Sequence, residues 1–310
     1  MKGSDQVMLK SQLEELEWME KCDPDVLIAE LIDNQRKIKA NYDLYYDEKQ
    51  DQSWVNHYYC NISTNTSDLF QEYHDLISKT HQFKHRYYFS KDQYLYKWVD
   101  LQPNGQLKCI YSGKTKNPQT LIEEDFKTIQ KRFESYRELI KIQRYSNNQL
   151  INHVKRISNQ HKFNAEHVVP QSWFRAKEPM KGDLHHLFAC DPKCNNLRSN
   201  FPYYDCEVND LPLSNQSDCG KQAINRFEPT YGKGVVARAT LYFLLRYPNE
   251  ITRQFRKNID IPLLIQWHNQ YKVTEYERHR NKAIFEIQGN RNPFIDFPEL
   301  ITLIYQQSEF

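Results

Sequence analysis

The sequence of 310 residues is poor in glycine and has no long apolar segment. Its 8 glycines form no P-loop, and the one dinucleotide-like spacing (Gly232, Gly234 and Ala237) follows a polar segment, so a nucleotide-binding fold is not indicated. No stretch approaches the roughly 18 apolar residues of a membrane-spanning helix. The N-terminal segment also lacks the apolar core of a signal peptide. We therefore expect a globular, cytoplasmic protein without membrane contact, with export by another route as the alternative.

Charge is distributed unevenly along the chain, although the net charge is only +2. Residues 1–80 contain 8 Lys and Arg against 16 Asp and Glu, whereas residues 81–310 carry a net charge of +10. The basic part suits a polyanionic partner, and an unevenly solvated surface explains the pattern equally well. Residues 1–80 show helical periodicity without reactive groups. The sequence thus predicts an acidic helical N-terminal extension (1–80), which packs against the chain or binds a protein partner, and a second domain (81–310).

Two β-like runs lie near the start of the basic part. They span residues 94–100 and 107–111 and are separated by Asn104-Gly105, a dipeptide typical of tight hairpin turns. Apolar residues at helical spacing follow over about 120–144. The sequence here predicts a β-hairpin followed by a helix.

The densest group of reactive side chains lies in three motifs between residues 164 and 200. These motifs are Asn-Ala-Glu-His-Val-Val-Pro170, Asp-Leu-His-His-Leu187 and Asn-Asn-Leu-Arg-Ser-Asn200. Residues 168–169 and 187–189 are predicted strands, and residues 192–198 can begin a helix. Cleavage of a phosphodiester needs a base active near pH 7, oxygen ligands for a hard divalent cation, and cationic donors to the phosphate. The three motifs together contain all of these groups.

Each motif by itself has a simpler explanation. A Glu-His pair is most often a surface pair, His-His is as often a core feature as a ligand, and Asn-Asn is typical of a cap or turn. Moreover, Glu166 and His167 are adjacent, so on a regular strand they point to opposite faces. They can serve one centre only if the strand ends or bulges there, and Pro170 favours an early end.

In order and density, the three motifs resemble the endonuclease I family of nonspecific nucleases. Similar segments extend from Trp98-Val-Asp-Leu to Gln-Gly-Asn-Arg-Asn-Pro-Phe294, so the resemblance covers about residues 90–300. It implies an α+β fold in which a ββα-metal (His-Me) finger nuclease core is surrounded by helices. It also implies an endonuclease that cleaves DNA, with RNA as an alternative substrate, and leaves 5′-phosphate ends. We expect this endonuclease to be a monomer.

The resemblance also assigns roles within the motifs. His167 is the expected general base, Glu166 and Asn195 are the expected ligands of Mg²⁺ or a similar divalent cation, and His185 supports the site from the second strand. Arg175 is the first choice for the phosphate-binding cation, with Lys177 and Lys181 as alternatives. Arg198 is either structural or directed at phosphate.

Two other classes of protein remain as alternatives. One is a sequence-specific endonuclease on the same finger, of the restriction or homing type. The other is a non-catalytic nucleic-acid-binding or zinc-binding protein, which the presence of Glu166, His167 and Asn195 argues against.

Four of the seven cysteines lie close together in the sequence, at Cys190, Cys194, Cys206 and Cys219. Four thiolates can hold a structural Zn²⁺, although the spacing differs from a Cys-x2-Cys knuckle. Two disulfides or four buried thiols are the alternatives, and the lack of a signal peptide places disulfides last. We expect zinc slightly ahead of the other two.

Overall fold

A computed structural model describes residues 18, 22–62, 68–141, 147–206 and 215–306. These residues form a mixed structure of many helices and short strands, in agreement with an α+β fold. The α-helices are α1 Pro24–Ala40, α2 Glu48–Tyr58, α3 Leu69–Thr80, α4 Tyr87–Ser90, α5 Pro118–Lys141, α6 Asn147–Gln160, α7 Pro192–Arg198, α8 Lys233–Arg246, α9 Arg253–Arg256, α10 Ile261–Gln270, α11 Glu275–Gln288, α12 Pro293–Asp296 and α13 Leu300–Gln306. The strands are β1 Leu107–Lys108, β2 Thr115–Lys116, β3 Ala165–His167, β4 Leu187–Ala189, β5 Asn215–Ser217, β6 Gly220–Ala223 and β7 Arg226–Pro229.

Helix α8 forms the centre of the larger hydrophobic core. It is buried along nearly its whole length and packs against α10, because almost every position from Val236 to Leu245 is apolar or small. Gly232 begins the helix with a φ of 73°, and a Cβ there would lie 2.4 Å from the carbonyl oxygen of Ile110. Glycine is therefore required at this position by both backbone conformation and space. Among the described helices, none is sufficiently long and apolar to cross a membrane.

Side chains of the N-terminal helices belong to two hydrophobic cores that they share with the rest of the chain. Tyr59 and Ile77 join the core around α8, and Leu31 of α1 packs in a second core with residues of the helix at 91–99. Asp51 of α2 forms a buried ion pair with Arg291, at 2.9 Å. The acidic segment thus packs closely against the basic part. The boundary at residue 80 remains a prediction, and residues 1–17, 19–21 and 63–67 of the extension lie outside the described residues.

The predicted hairpin after residue 94 is wrong. Lys91–Val99 forms a π-type helix, and β1 pairs with β2 instead. Leu95, Tyr96 and Val99 are fully buried, so this short segment is apolar on several sides and its sequence does not distinguish a buried helix from a strand. The turn at Gly105 does form, with a φ of 71°, but it leads from the helix into β1.

Strands β3 and β4 form an antiparallel pair that α7 follows directly. Glu166 pairs with Phe188 and His167 with Leu187. Strand β3 ends at His167, two residues earlier than the predicted strand at 168–169 but in agreement with the early end that Pro170 favours. Strands β5, β6 and β7 form a separate antiparallel sheet next to this unit.

Candidate functional site

Glu166 lies in the middle of β3, and only 4% of it is exposed. Its Oε1 accepts a hydrogen bond from the Tyr111 hydroxyl at 2.8 Å and lies 3.6 Å from Nε of Arg198. Its Oε2 has no hydrogen-bond partner among the described residues. Burial raises the pKa of Glu166 to about 7, against the opposing effects of Arg198 and Tyr111. An ionised carboxylate at this position would therefore be stabilised by a further cation.

Asn195 lies on α7 and is half-buried. The helix begins here because Asp191 caps it, accepting a hydrogen bond from the backbone N–H of Lys193, and because Pro192 suits the first turn. Nδ2 of Asn195 donates to the carbonyl oxygen of Ala165 at 3.0 Å. This bond fixes the side-chain amide, and its Oδ1 has no partner within the described ranges. Two unpaired oxygens, from an amide and a carboxylate, thus belong to neighbouring elements.

His167 ends β3 and is buried, with hydrogen bonds at both ring nitrogens. Its Nε2 lies 2.8 Å from the carbonyl oxygen of Lys181, so Nε2 carries the proton, because a carbonyl can only accept. Its Nδ1 therefore holds the lone pair and accepts a hydrogen bond from Nε2 of Gln171 at 3.1 Å. Burial and the nearby His186 hold the pKa of His167 well below its usual range. The imidazole is thus neutral at pH 7 and oriented by the backbone.

His186, rather than its neighbour His185, contacts the ring of His167. The centroids of the His167 and His186 rings lie 5.4 Å apart. The ring of His185 instead packs against the ring of Tyr242 at a tilted angle, with the centroids 4.3 Å apart, and its Nε2 lies 3.2 Å from the carbonyl oxygen of Asn290. The two histidines differ because they lie in a 3₁₀ turn, Leu184–His186, and not on β4 as predicted. The side chains of His185 and His167 make no direct contact.

The three predicted phosphate cations occupy different environments. Arg175 is exposed, has a φ of 60°, and makes no hydrogen bond or ion pair with any described residue. Lys177 pairs with Glu250 at 3.2 Å. Lys181 is buried, with its ammonium over the rings of Tyr87 and Tyr88. Of the three, Arg175 has the greatest freedom to contact a bound anion.

Arg198 has a structural position. It is fully buried, and its Nη2 donates to the carbonyl oxygen of Val168 at 2.6 Å. Tyr203 contacts the same carbonyl oxygen and the hydroxyl of Tyr111, which in turn bonds to Glu166. The side chain of Arg198 therefore supports the carboxylate and the end of β3, which decides between the two predicted roles.

Two further residues at this site were missed in the sequence. Tyr111 comes from a distant segment, so its contact with Glu166 depends on the tertiary structure. Lys162 is half-buried, its charge interacts with that of Glu166, and burial lowers its pKa. Its position four residues before Glu166 in the sequence could have identified it as a nearby cation.

The predicted zinc site does not form. Cys194 and Cys219 are joined by a disulfide bond, with their Cα atoms 5.1 Å apart. Cys190 instead lies next to Cys109, and Cys206 is a separate buried thiol. The described residues contain no group of three or more His, Cys, Asp and Glu that could hold a metal ion. The error arose because proximity in sequence does not determine which thiols meet in the fold.

Comparison with known proteins identifies relatives of this chain. A family model described as Endonuclease I matches residues 75–299. Two deoxyribonucleases of Aeromonas hydrophila, one named extracellular and one periplasmic, are each 34% identical over 123 residues, which cover 38% of this chain and 50% and 48% of those proteins. An extracellular ribonuclease of Bacillus subtilis (strain 168) is 31% identical over 153 residues, covering 44% of this chain and 52% of that protein. The chain spans about half the length of these curated relatives.

These relatives correct the expectation of a cytoplasmic protein. They are named extracellular or periplasmic, which points to secretion. The disulfide between Cys194 and Cys219 agrees with this correction, because disulfides persist mainly in oxidising compartments. The expectation of a cytoplasmic location was therefore wrong, and so was the low rank given to disulfides.

Proposed function

The chain belongs to the endonuclease I family, and from this premise we propose that it is an endonuclease that hydrolyses phosphodiester bonds with the aid of a divalent cation. One observation carries the proposal. Around β3, a neutral imidazole has its lone pair on a defined nitrogen, while a buried carboxylate and a nearby amide each keep one oxygen unpaired. A base and two hard ligands are the groups that metal-assisted hydrolysis requires.

In this proposal, β3, β4 and α7 form a ββα-metal finger. Glu166 and His167 come from the first strand, and Asn195 comes from the helix. The backbone pairing of β3 with β4 and the bond from Asn195 to Ala165 hold the three elements together. A site built on paired strands and a short helix is more rigid than one built on loops.

The residues present fit a hard divalent cation such as Mg²⁺. Glu166 and Asn195 would supply two oxygen ligands, and water and phosphate oxygens would supply the others. The raised pKa of Glu166 supports this assignment, because a nearby cation would stabilise the buried carboxylate. When bound, such a cation would stabilise negative charge on the phosphate and on the leaving oxygen.

His167 is the proposed general base. With its proton held on Nε2 by the carbonyl of Lys181, the imidazole accepts a proton from the attacking water at Nδ1. The amide of Gln171 now occupies that lone pair, so the water replaces this amide as the substrate binds. His185 and His186 act indirectly, through the packing of the turn that carries them.

Substrate recognition is proposed to act mainly on phosphate. Arg175 and Lys162 are the described cations best placed to contact it, one exposed and one beside Glu166. Contacts with phosphate carry little sequence information, so cleavage should be nonspecific and salt-sensitive. DNA is the proposed substrate, with 5′-phosphate products as the family resemblance implies. RNA is a second candidate, because relatives include proteins named extracellular ribonuclease.

A cleavage assay tests the function directly. Supercoiled plasmid DNA and an RNA of defined length are incubated with the protein in Mg²⁺, in EDTA, and in EDTA followed by excess Mg²⁺. We expect cleavage at many positions, loss of cleavage in EDTA and recovery with Mg²⁺. The variant Asn196→Ala changes an exposed neighbour of Asn195 on the same helix. It serves as the control and should cleave as the wild-type protein does. Absence of cleavage with every divalent cation, or equal cleavage in EDTA, would contradict the proposal.

A further inference from the structure

Cys109 and Cys190 form a pair of buried thiols beside the candidate site. Their sulfur atoms lie 3.9 Å apart, although the two residues are 81 positions apart in the sequence. Cys109 is fully buried and Cys190 is 2% exposed. The pair is distinct from the disulfide between Cys194 and Cys219, and nothing in the proposed hydrolysis uses it.

The backbone around the two cysteines is held together by direct hydrogen bonds. The N–H of Ile110 donates to the carbonyl oxygen of Ala189 at 3.0 Å, so the residues that flank the thiols are already paired. The backbone N–H of Asp191 donates to the sulfur of Cys109 at 3.3 Å. The two sulfur atoms thus face each other across segments whose relative position the backbone fixes.

We propose that Cys109 and Cys190 form a second disulfide bond in the mature protein. During folding or local opening of the chain, when the pair is accessible, the thiolate of Cys109 attacks a sulfur of an external disulfide donor, such as glutathione disulfide, and one donor thiolate leaves. The thiolate of Cys190 then attacks the sulfur of Cys109 in this mixed disulfide, and the second donor thiolate leaves. The two cysteines lose two protons, and two electrons reduce the donor to two thiols.

The surroundings assign the first attack to Cys109. The hydrogen bond between the two thiols, together with those to Ser112 and from the N–H of Asp191, lowers the pKa of Cys109 to about 5, although burial acts in the opposite direction. Burial raises the pKa of Cys190 well above its usual range. A thiolate is therefore available on one member of the pair at neutral pH.

The two bonds would anchor α7 at two points. Cys190 lies just before the helix, adjacent to its cap Asp191, and Cys194 lies within the helix beside Asn195. Asp191 is also paired with Lys116 of β2 at 2.6 Å. Oxidation would thus tie the helix that carries the proposed metal ligand to the β1–β2 segment on one side and to the β5–β7 sheet on the other.

Peptide mapping tests the pairing in the wild-type chain. The full chain is equilibrated with glutathione and glutathione disulfide, its free thiols are alkylated under denaturing conditions, and it is digested with trypsin without reduction. Cleavage after Lys193 separates Cys190 from Cys194, and cleavage after Lys108 releases Cys109. We expect two linked peptide pairs, one joining Cys109 to Cys190. Recovery of both residues in alkylated form, or of Cys109 linked elsewhere, would overturn the proposal.

Thermal unfolding of variants distinguishes a covalent bond from simple packing. Closing a loop of 81 residues should raise Tm by about 5–10 °C. Cys109→Ser should therefore lower Tm by this amount in oxidised protein and by much less in reduced protein. Cys60→Ser, which changes an exposed free thiol, is the control and should leave the Tm of both the oxidised and the reduced protein unchanged. An equal decrease in Tm in oxidised and reduced protein would show that the two thiols only pack against each other. If Cys109→Ser does not fold, the peptide mapping of the wild-type chain still decides whether the two cysteines are linked.

Discussion

Two adjacent groups of buried or half-buried polar side chains differ in how completely they are hydrogen-bonded. The β3 group is Glu166, His167 and Asn195, and the Asp183 network is centred on a carboxylate that begins the turn Leu184–His186. In the network, Oδ2 of Asp183 accepts from two tyrosine hydroxyls, and Oδ1 accepts from the backbone of His185 and from a glutamine amide. In the β3 group, two oxygens lack partners among the described residues. Unpaired acceptors, rather than residue type or burial, distinguish the candidate site.

The two buried carboxylates also differ in the direction of their pKa shifts. Burial raises the pKa of Glu166 to about 7. Burial acts in the same direction on Asp183, but His81, His185 and His186 outweigh it and hold the pKa of Asp183 well below its usual range. A carboxylate that the protein stabilises by itself is structural, whereas one that needs a further cation is suited to bind metal.

The largest expected effect is on the proposed base. His167→Ala should lower the cleavage rate by a factor on the order of 10²–10⁴, because the water then lacks a proton acceptor. Added imidazole should restore part of the rate. Circular dichroism should show a folded protein, and the exposed His57→Ala is the matched control with normal activity. Near-normal cleavage by His167→Ala would show that the base lies elsewhere.

The second prediction concerns stability at the Asp183 network. Asp183→Asn should lower the free energy of unfolding by about 3–5 kcal/mol, because several buried donors lose a charged acceptor. The native pKa of Asp183 is depressed, so its contribution is complete above the unfolded pKa of about 3.9 and is lost as the pH falls below it. Denaturant titration at pH 7 and pH 3 should therefore show a smaller difference at pH 3. A difference that does not depend on pH would contradict this role.

The third prediction concerns the proposed metal ligands. Asn195→Ala should raise the Mg²⁺ concentration for half-maximal cleavage by about tenfold or more, because it removes an oxygen from a hard-cation site. The measurement is a Mg²⁺ titration of the initial rate. Asn196→Ala should keep the parental value, and an unchanged requirement in Asn195→Ala would move the ligand to another residue.

The smallest effect is expected at Gln171. Its amide donates to the lone pair of His167 and so favours the neutral imidazole, which means that Gln171→Ala should raise the pKa of His167. A base is active when neutral, so the fall in rate on the acid side should move up by a few tenths of a pH unit at saturating Mg²⁺. The rate at pH 8 should change by less than about threefold. A lower rate at all pH values with no shift would indicate that Gln171 acts on substrate binding.

The sequence predicts local features of the backbone better than it predicts contacts between distant segments. Pro170 predicts an early strand end, and β3 does end before it, at His167, although the predicted strand at 168–169 lies just beyond the observed one. The hairpin after residue 94 was wrong because a short apolar run fits a strand and a buried helix equally well. The family resemblance implies His185 as the supporting histidine, whereas the 3₁₀ turn places His186 against the ring of His167.

The sequence by itself determined the residue types of the proposed site and their local order along the chain. Glu166, His167 and Asn195 all lie in the three motifs, whose side chains suit a base and hard ligands, and the family resemblance implies their individual roles. Tertiary structure alone decided which groups meet: Tyr111 with Glu166, and Cys109 with Cys190. These contacts join segments 55 and 81 residues apart. They depend on how the cores pack around β3, and packing is a property of the whole fold that no local pattern encodes.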